Sequence, residues 1–499
     1  MSYEHAAGAP GVTDAGKATR EALAAAGDTV LVRNLDATVE RSGVGLLRRA
    51  ECLAGALIAR GQAGGTIGLY FRNSAAAVEA FIATELIGAT RLPVEPSAAI
   101  AEAAAIFAAG SAGAVITDRR LGEGSPAPGE TRWTSTPLSS STLVYDDSSP
   151  EAGPQWRDNV QVDSDKPLVL YPRAVIDGEL LGIPTSYANW QAIIRLSTEL
   201  YEAGRYGLAL GQGECYLTVV QLMHATGMVG SFPFLHLGLP QVMMPRFNAS
   251  AMIDAIRRHK VTTLFAVPGM LTRAASAVGG AGAPELSSLR RVLYGGAPID
   301  LPDLRQVHTV FGATLCQLYG RYEAGWPLTV LTPDDHARII AGDKEVTGSC
   351  GQPVPHVEVE LRPIPGSAGK AEVRTRSAMV SPQFADEDGW CDLGDTGFVS
   401  PQGYLHLTGR RDGMINTGSF HVYPREVEAA IRAIPGVTAV LVVGEPHPRW
   451  GEAVVAYVES GDRALETTLR SLLSGELAPY KIPAVVHVVD VLPRAAGLC

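Results

Sequence analysis

Residues 168–190 read "LVLYPRAVIDGELLGIPTSYANW". The stretch opens as an apolar run of strand type, turns, and ends in a segment able to open a helix. Strand, short connection and helix in that order are the local signature of an α/β layer, and the turn falls where many enzymes carry a glycine-rich phosphate loop. Between Tyr171 and Gly182, however, there is one glycine and no lysine, serine or threonine. A phosphate cradle needs small residues so that backbone N–H groups can converge on the anion. The stretch therefore sets a fold expectation and a functional question together.

Outward from it, the alternation continues. Residues 43–60 carry apolar side chains at helical spacing, followed by the buried-strand run "GGTIGLYF". "NSAAAVEAFIATELIGA" reads as a helix with a start signal at Asn73/Ser74, and "RLPVEP" as the next strand. "AGAVITD", "TTLFAVPGMLTRAASAV", "LRRVLYGGAP" and "ATLCQLYG" repeat the theme, which predicts layered sheets that are largely parallel. Residues 122–165, rich in Ser, Pro, Gly, Asp and Glu, read as a long surface connection. From about residue 345 the pattern turns to short β runs, and a second unit begins near Gly409.

A chain of 499 residues exceeds a single core, so two to four domains or subdomains are expected. The formal net charge of −11 argues against an extended nucleic-acid surface. The longest apolar region, residues 216–240, is interrupted by His224, Pro233, His236 and glycines, so no membrane span is expected. The first residues, "MSYEHAAGAPG", lack the basic and apolar regions of a secretory signal. Six scattered cysteines without a C-x-x-C pair argue against a zinc site or a disulfide scaffold. The expectation is a cytoplasmic protein with reduced thiols.

Several motifs then occur in a recognisable order. They are "LMHATGM" (222–228), "LYGGAPI" (293–299), "LYGRYEAG" (318–325) and the long run "DGWCDLGDTGFVSPQGYLHLTGRRDGMINTGSFHVYPREVEAAI" (388–431). Together they resemble the acyl-adenylate-forming superfamily of acyl-CoA synthetases, luciferases and adenylation domains, whose pattern "DGWxxTGDxGxxxxxGxLxxxGRxDDxIKxxGxxVxPxEIE" the last run follows closely. The resemblance implies an α/β fold with a large N-terminal domain of layered sheets and helices, including a β subdomain, plus a small mobile α+β C-terminal domain. The expected boundaries are 1–408, a hinge at 409–412 and 413–499.

The resemblance also implies roles by position. Gly295, Gly296, Ala297, Tyr319, Asp395 and Arg410 fall on the nucleotide side, with Asp395 holding the ribose hydroxyls. Glu323 matches a Mg²⁺-binding glutamate, Asp412 the hinge and Gly418 a pantetheine-side glycine. His224 lies by the acyl pocket and is a candidate catalytic residue with no partner nameable from sequence. Residues near His224, Met228 and 295–298 suggest a partly apolar cavity.

Three places depart from the family pattern. The phosphate loop "YTSGTTGxPKG" aligns with "YPRAVIDGELLG", one residue longer, in which only Tyr171 and Gly182 persist. Pro172 lacks a donor, Leu181 stands at the lysine position, and Asp177 and Glu179 outnumber Arg173. In "YGRYE", Tyr322 replaces a threonine. The family's closing lysine falls on Leu498 or Cys499 in "VLPRAAGLC".

From these departures the expectation is an enzyme repurposed for an acyl thioester of CoA or phosphopantetheine, working by acyl transfer, condensation or cyclisation without adenylation and with no cofactor required. One alternative is a divergent ATP-dependent acyl- or aryl-CoA or carrier-protein ligase using Mg-ATP. Another is a non-catalytic binding protein. The expected partners are a small acyl substrate and an acyl or peptidyl carrier protein.

Overall fold

A computed structural model describes residues 12–119, 132–149, 151, 153–176, 178–202, 210–211, 213–278, 286–364, 371–410, 413–418 and 420–492. Asp177, Asp412, Leu498 and Cys499 lie outside the described residues, as do the first eleven residues.

The N-terminal part is built on two large sheets with buried helices between and around them. A seven-stranded sheet runs in the order Glu179–Ser186, Pro167–Ile176, Thr90–Pro93, Thr66–Tyr70, Ala114–Thr117, Ser139–Val144, Arg132–Thr136. Its central pairs are parallel and its outer hairpins antiparallel. A nine-stranded sheet has the parallel strands Arg291–Gly295 and Thr314–Arg321 side by side near one end. A four-stranded antiparallel sheet follows, ending in Cys391–Val399 and Leu405–Arg410.

Helix Ala75–Leu86 shows why the sheets stack. Ala, Val, Phe, Ile and Leu supply most of its surface, and all twelve of its residues are buried. A helix buried on every face rests between layers, and its Glu79 is met there by Arg41 and Arg49. Ser74 caps it by accepting from Ala77 N at 3.1 Å, as its start signal predicts. Asn73 is instead spent on a loop, donating to Val220 O and accepting from Leu222 N.

The smaller C-terminal domain has its own core around Ile415, Val427, Ile431, Val454 and Leu469. Its sheet pairs Gly451–Ser460 with Val437–His447 and Val485–Val489.

The stretch expected to be a long surface connection contains more structure than its composition announced. Within it, Arg132–Thr136 and Ser139–Val144 pair as a hairpin that extends the seven-stranded sheet. Leu143, Val144 and Tyr145 are buried, and that burial outweighs the weak pattern of the flanking serines and threonines. No helix among the described residues is long and apolar enough to cross a membrane.

Candidate active site

One cavity of about 2390 Å³ is lined by both domains. The parallel strands Arg291–Gly295 and Thr314–Arg321 deliver their C-terminal ends to it, the edge at which α/β sheets place ligands. A Cβ on Gly295 would stand 2.2 Å from Leu318 O, so only glycine permits the two strands to approach there. Gly296 follows with φ 82°, and its carbonyl accepts from Asn416 Nδ2 of the small domain at 3.2 Å. Gly296 and Ala297 line the cavity.

Asp395 is buried on the same side. The Tyr319 hydroxyl donates to its Oδ2 at 2.6 Å and Arg410 Nη1 to its Oδ1 at 2.7 Å. Burial, reinforced by the Asp395 charge, pushes the Tyr319 hydroxyl well above its ordinary pKa, so it stays a donor. Three of the residues placed on the nucleotide side by sequence are thus one hydrogen-bonded unit.

Residues 171–176 and 179–183 pair as an antiparallel hairpin. Tyr171 pairs with Ile183, Pro172 with Gly182, Ala174 with Leu181, Val175 with Leu180 and Ile176 with Glu179. Gly178 takes φ 80° at the turn. The register steps between Pro172 and Ala174, leaving Arg173 as the extra residue of a β-bulge. Its guanidinium sits 4.2 Å above the Tyr423 ring, and its Nη1 is 3.5 Å from Glu323 Oε1. Arg321 Nε lies 3.5 Å from Glu323 Oε2. Burial opposes the charge on Arg321, but Glu323 and Asp395 outweigh it and hold its proton firmly. Leu181 is half exposed, and Tyr171 packs edge-on against Tyr322 with ring centroids 4.8 Å apart.

On the third side, His224 precedes helix Ala225–His236, with its Nε2 2.6 Å from Glu95 Oε2. Burial pushes the Glu95 carboxyl up, but His224 and Ser97 outweigh this and hold it below its ordinary value. The ring of Phe420 lies 5.8 Å from that of His224. Met228, expected near the pocket, is fully buried in the core and receives the Tyr171 hydroxyl at 3.2 Å from Sδ. Gly418 also lines the cavity, with φ 63°, and donates its N–H to Trp450 O.

Sequence reasoning missed Glu95, Arg321, His421 and Asn416. Glu95 had a usable signal, because it follows the parallel strand Thr90–Pro93 at its C-terminal end. His421 had none. It is brought in by the small domain, where burial and then the charges of Arg321, Arg410 and Arg173 keep it neutral.

The family model for AMP-binding enzymes matches residues 19–373, and that for the AMP-binding enzyme C-terminal domain matches residues 426–496. The chain belongs to the AMP-binding enzyme family. It is 32% identical over 297 residues to the fatty acid–[acyl-carrier-protein] ligase ScoC of Streptomyces coeruleorubidus, covering 56% of each chain. It is 31% identical over 306 residues to the 2-succinylbenzoate–CoA ligase of Bacillus velezensis, covering 58% of this chain and 60% of that one. The matched stretch therefore spans little more than half the length of these curated relatives.

Among solved structures, the fold is similar to o-succinylbenzoate CoA synthetase (MenE) of Bacillus subtilis. For a double mutant bound with the product analogue OSB-NCoA the TM-score is 0.81, at 22% identity, covering 97% of this chain and 96% of that one. For the same synthetase in complex with ATP and magnesium ion the TM-score is 0.67, at 22% identity, covering 97% of each chain.

These findings correct the expectation of ATP-independent chemistry with no cofactor required. The family is defined by AMP binding, the relatives are ligases, and one solved member of the fold holds ATP and magnesium. The match runs through both domains, whereas the departures expected at residues 171–182 and 498–499 concern single elements.

The chain's residues fit a magnesium ion in one respect. Glu323 Oε2 is buried and accepts no hydrogen bond among the described residues. Those residues contain no cluster of three or more potential ligands. One carboxylate suffices for Mg²⁺ when phosphates and water complete its shell.

Proposed function

We propose that the chain is an ATP-dependent acid–thiol ligase, forming an acyl adenylate from a carboxylic acid and passing the acyl group to the thiol of CoA or of a carrier-protein pantetheine. The observation that carries this reading is the Tyr319–Asp395–Arg410 unit in one cavity with Gly296, His224 and Gly418. An ionised carboxylate has about four acceptor positions. Tyr319 and Arg410 occupy one on each oxygen of Asp395, which leaves an acceptor on each for a pair of ribose hydroxyls.

In the first step a carboxylate oxygen of the acid attacks the α-phosphorus, and the bond to the bridging oxygen breaks to release pyrophosphate. In the second the thiol sulfur attacks the acyl carbon and AMP leaves. Magnesium, held by Glu323, would neutralise phosphate charge during the first step. In the second, His224, whose Nε2 lies 2.6 Å from Glu95 Oε2, would accept the thiol proton at Nδ1. The ligase names of the two curated relatives support this reading, one acting on an acyl carrier protein and one on CoA.

The test is pyrophosphate release by purified protein with Mg-ATP and a panel of aliphatic and aromatic acids, followed by acyl transfer to CoA or to pantetheine. ATP-dependent pyrophosphate release and thioester formation are expected. No ATP-dependent product with any acid overturns the proposal.

A further inference from the structure

The hairpin at residues 171–182 raises a question that the ligase reading leaves open: what holds the phosphates. Its strands pair from Tyr171↔Ile183 to Ile176↔Glu179, so the backbone runs as a ladder up to the turn. Groups committed to a ladder do not converge on an anion as those of an open small-residue loop do. Pro172 has no N–H at all. Within the same segment, one residue departs from the ladder, and it is cationic. A strand insertion normally flips every later side chain to the opposite face. Here Arg173 absorbs the insertion as a bulge, and Ala174 and its successors keep their pairing. The side chain that the bulge re-aims lines the cavity.

A second guanidinium meets it. Arg321, one residue beyond a register shift in strand Thr314–Arg321, also lines the cavity. Both arginines approach the same carboxylate from different oxygens of Glu323, each at 3.5 Å. Charge-assisted pairs close to about 2.7–2.9 Å when they are optimal. Both contacts are looser than that, so neither guanidinium is locked onto Glu323. Tyr423 braces the plane of Arg173 by a cation–π contact. Planar forks of this kind match the oxygen pairs of phosphate.

We propose that Arg173 and Arg321 form a side-chain clamp for the β- and γ-phosphates of ATP, and for the pyrophosphate it releases. The clamp replaces a backbone cradle, and Glu323 parks the two guanidiniums in the absence of nucleotide. The inference rests on the ligase reading, and it separates recognition of the phosphates from that of the ribose by Asp395.

Calorimetry on the full chain with Mg²⁺ tests it, titrating ATP, AMP and inorganic pyrophosphate into the wild type, Arg173→Ala, Arg173→Lys and Arg321→Lys. Arg173→Ala should weaken ATP and pyrophosphate by about ten- to a hundredfold, the worth of one charge-assisted contact. AMP should change by less than about twofold, because it has neither of the clamped phosphates. Arg173→Lys, which keeps the charge and loses the fork, should fall between. Arg173 is partly exposed, so its variants carry the test even where Arg321→Lys unfolds, as thermal melts would reveal.

Equal weakening of ATP and AMP, or unchanged pyrophosphate binding in Arg173→Ala, overturns the clamp while leaving the ligase reading in place. Arginine-dependent pyrophosphate binding without pyrophosphate release from ATP by any acid supports the clamp and removes the ligase reading. A wild type that binds neither ATP nor pyrophosphate overturns both.

Discussion

Lys481 of the small domain stands 2.7 Å from Glu102 of the large one, and both are buried. Glu426, also of the small domain, lies 2.7 Å from the same ammonium. Burial pushes the Glu426 carboxyl up, and Lys481 only partly restrains it. Two carboxylates thus share one cation across the domain boundary. Removing one partner of a buried pair typically costs about 3–5 kcal/mol, because a charge is left without compensation. Lys481→Met should lower stability by about that amount in urea unfolding. Glu102→Gln should leave the small domain folded but loosen its docking, read as a larger radius of gyration in solution scattering. An unchanged radius would show that other contacts hold the domains.

The ribose assignment gives a second expectation. Asp395→Asn replaces an acceptor oxygen with a donor opposite Arg410 and the ribose. AMP affinity should fall about tenfold or more, at roughly 1.4 kcal/mol per tenfold, with pyrophosphate affinity little changed. Tyr319→Phe removes one neutral donor and should cost about 1 kcal/mol. Fluorescence or calorimetric titration with AMP checks both.

On the proposed ligase reading, the His224–Glu95 contact should serve only the second half-reaction. Glu95→Gln and His224→Gln should slow acyl transfer to the thiol by about 10²–10⁴-fold, the range of positioned proton transfer. ATP-dependent pyrophosphate release should persist. Single-turnover assays of each step distinguish this from a general loss of folding, which would depress both.

His336 supplies a pH expectation away from the cavity centre. Its Nδ1–H donates to Thr332 O at 2.7 Å, and its Nε2 accepts from the Tyr294 hydroxyl at 2.8 Å. Burial pushes it down to about 4 from an ordinary 6.5. The folded state therefore binds this proton less tightly than the unfolded chain does. Its contribution is fully present above pH 6.5 and is lost as pH falls from 6.5 to about 4. The size is roughly 3 kcal/mol, at about 1.4 kcal/mol per unit. Urea unfolding at pH 7.5 and pH 4.5 should show the loss in the wild type, and a smaller one in His336→Gln.

The layered fold was legible because its signals are local and repeated: helical stripes, apolar strand runs and a serine before Ala75. The residues 171–182 were only half legible. Asp177-Gly178 between apolar residues is a strong hairpin signal, but a turn ahead of a helix start carries similar residues and the two patterns overlap here. Asp395, Tyr319 and Arg410 could be named from motif order, but not that they bond to one another, since strand register decides that. Glu95 and His421 come from elements far apart in sequence, and only the shared cavity relates them. The functional expectation went astray for a different reason: side-chain substitutions in one loop do not reveal whether another part of the chain supplies the same charge.

The bulge at Arg173 makes the edge hairpin tolerant of a change in chain length. The one extra residue can be removed there while Tyr171 and Ala174 keep their buried faces. Deleting Arg173 should therefore yield a hairpin in continuous register, with an intact core and altered electrostatics at its rim. At this position the architecture and the chemistry can vary independently.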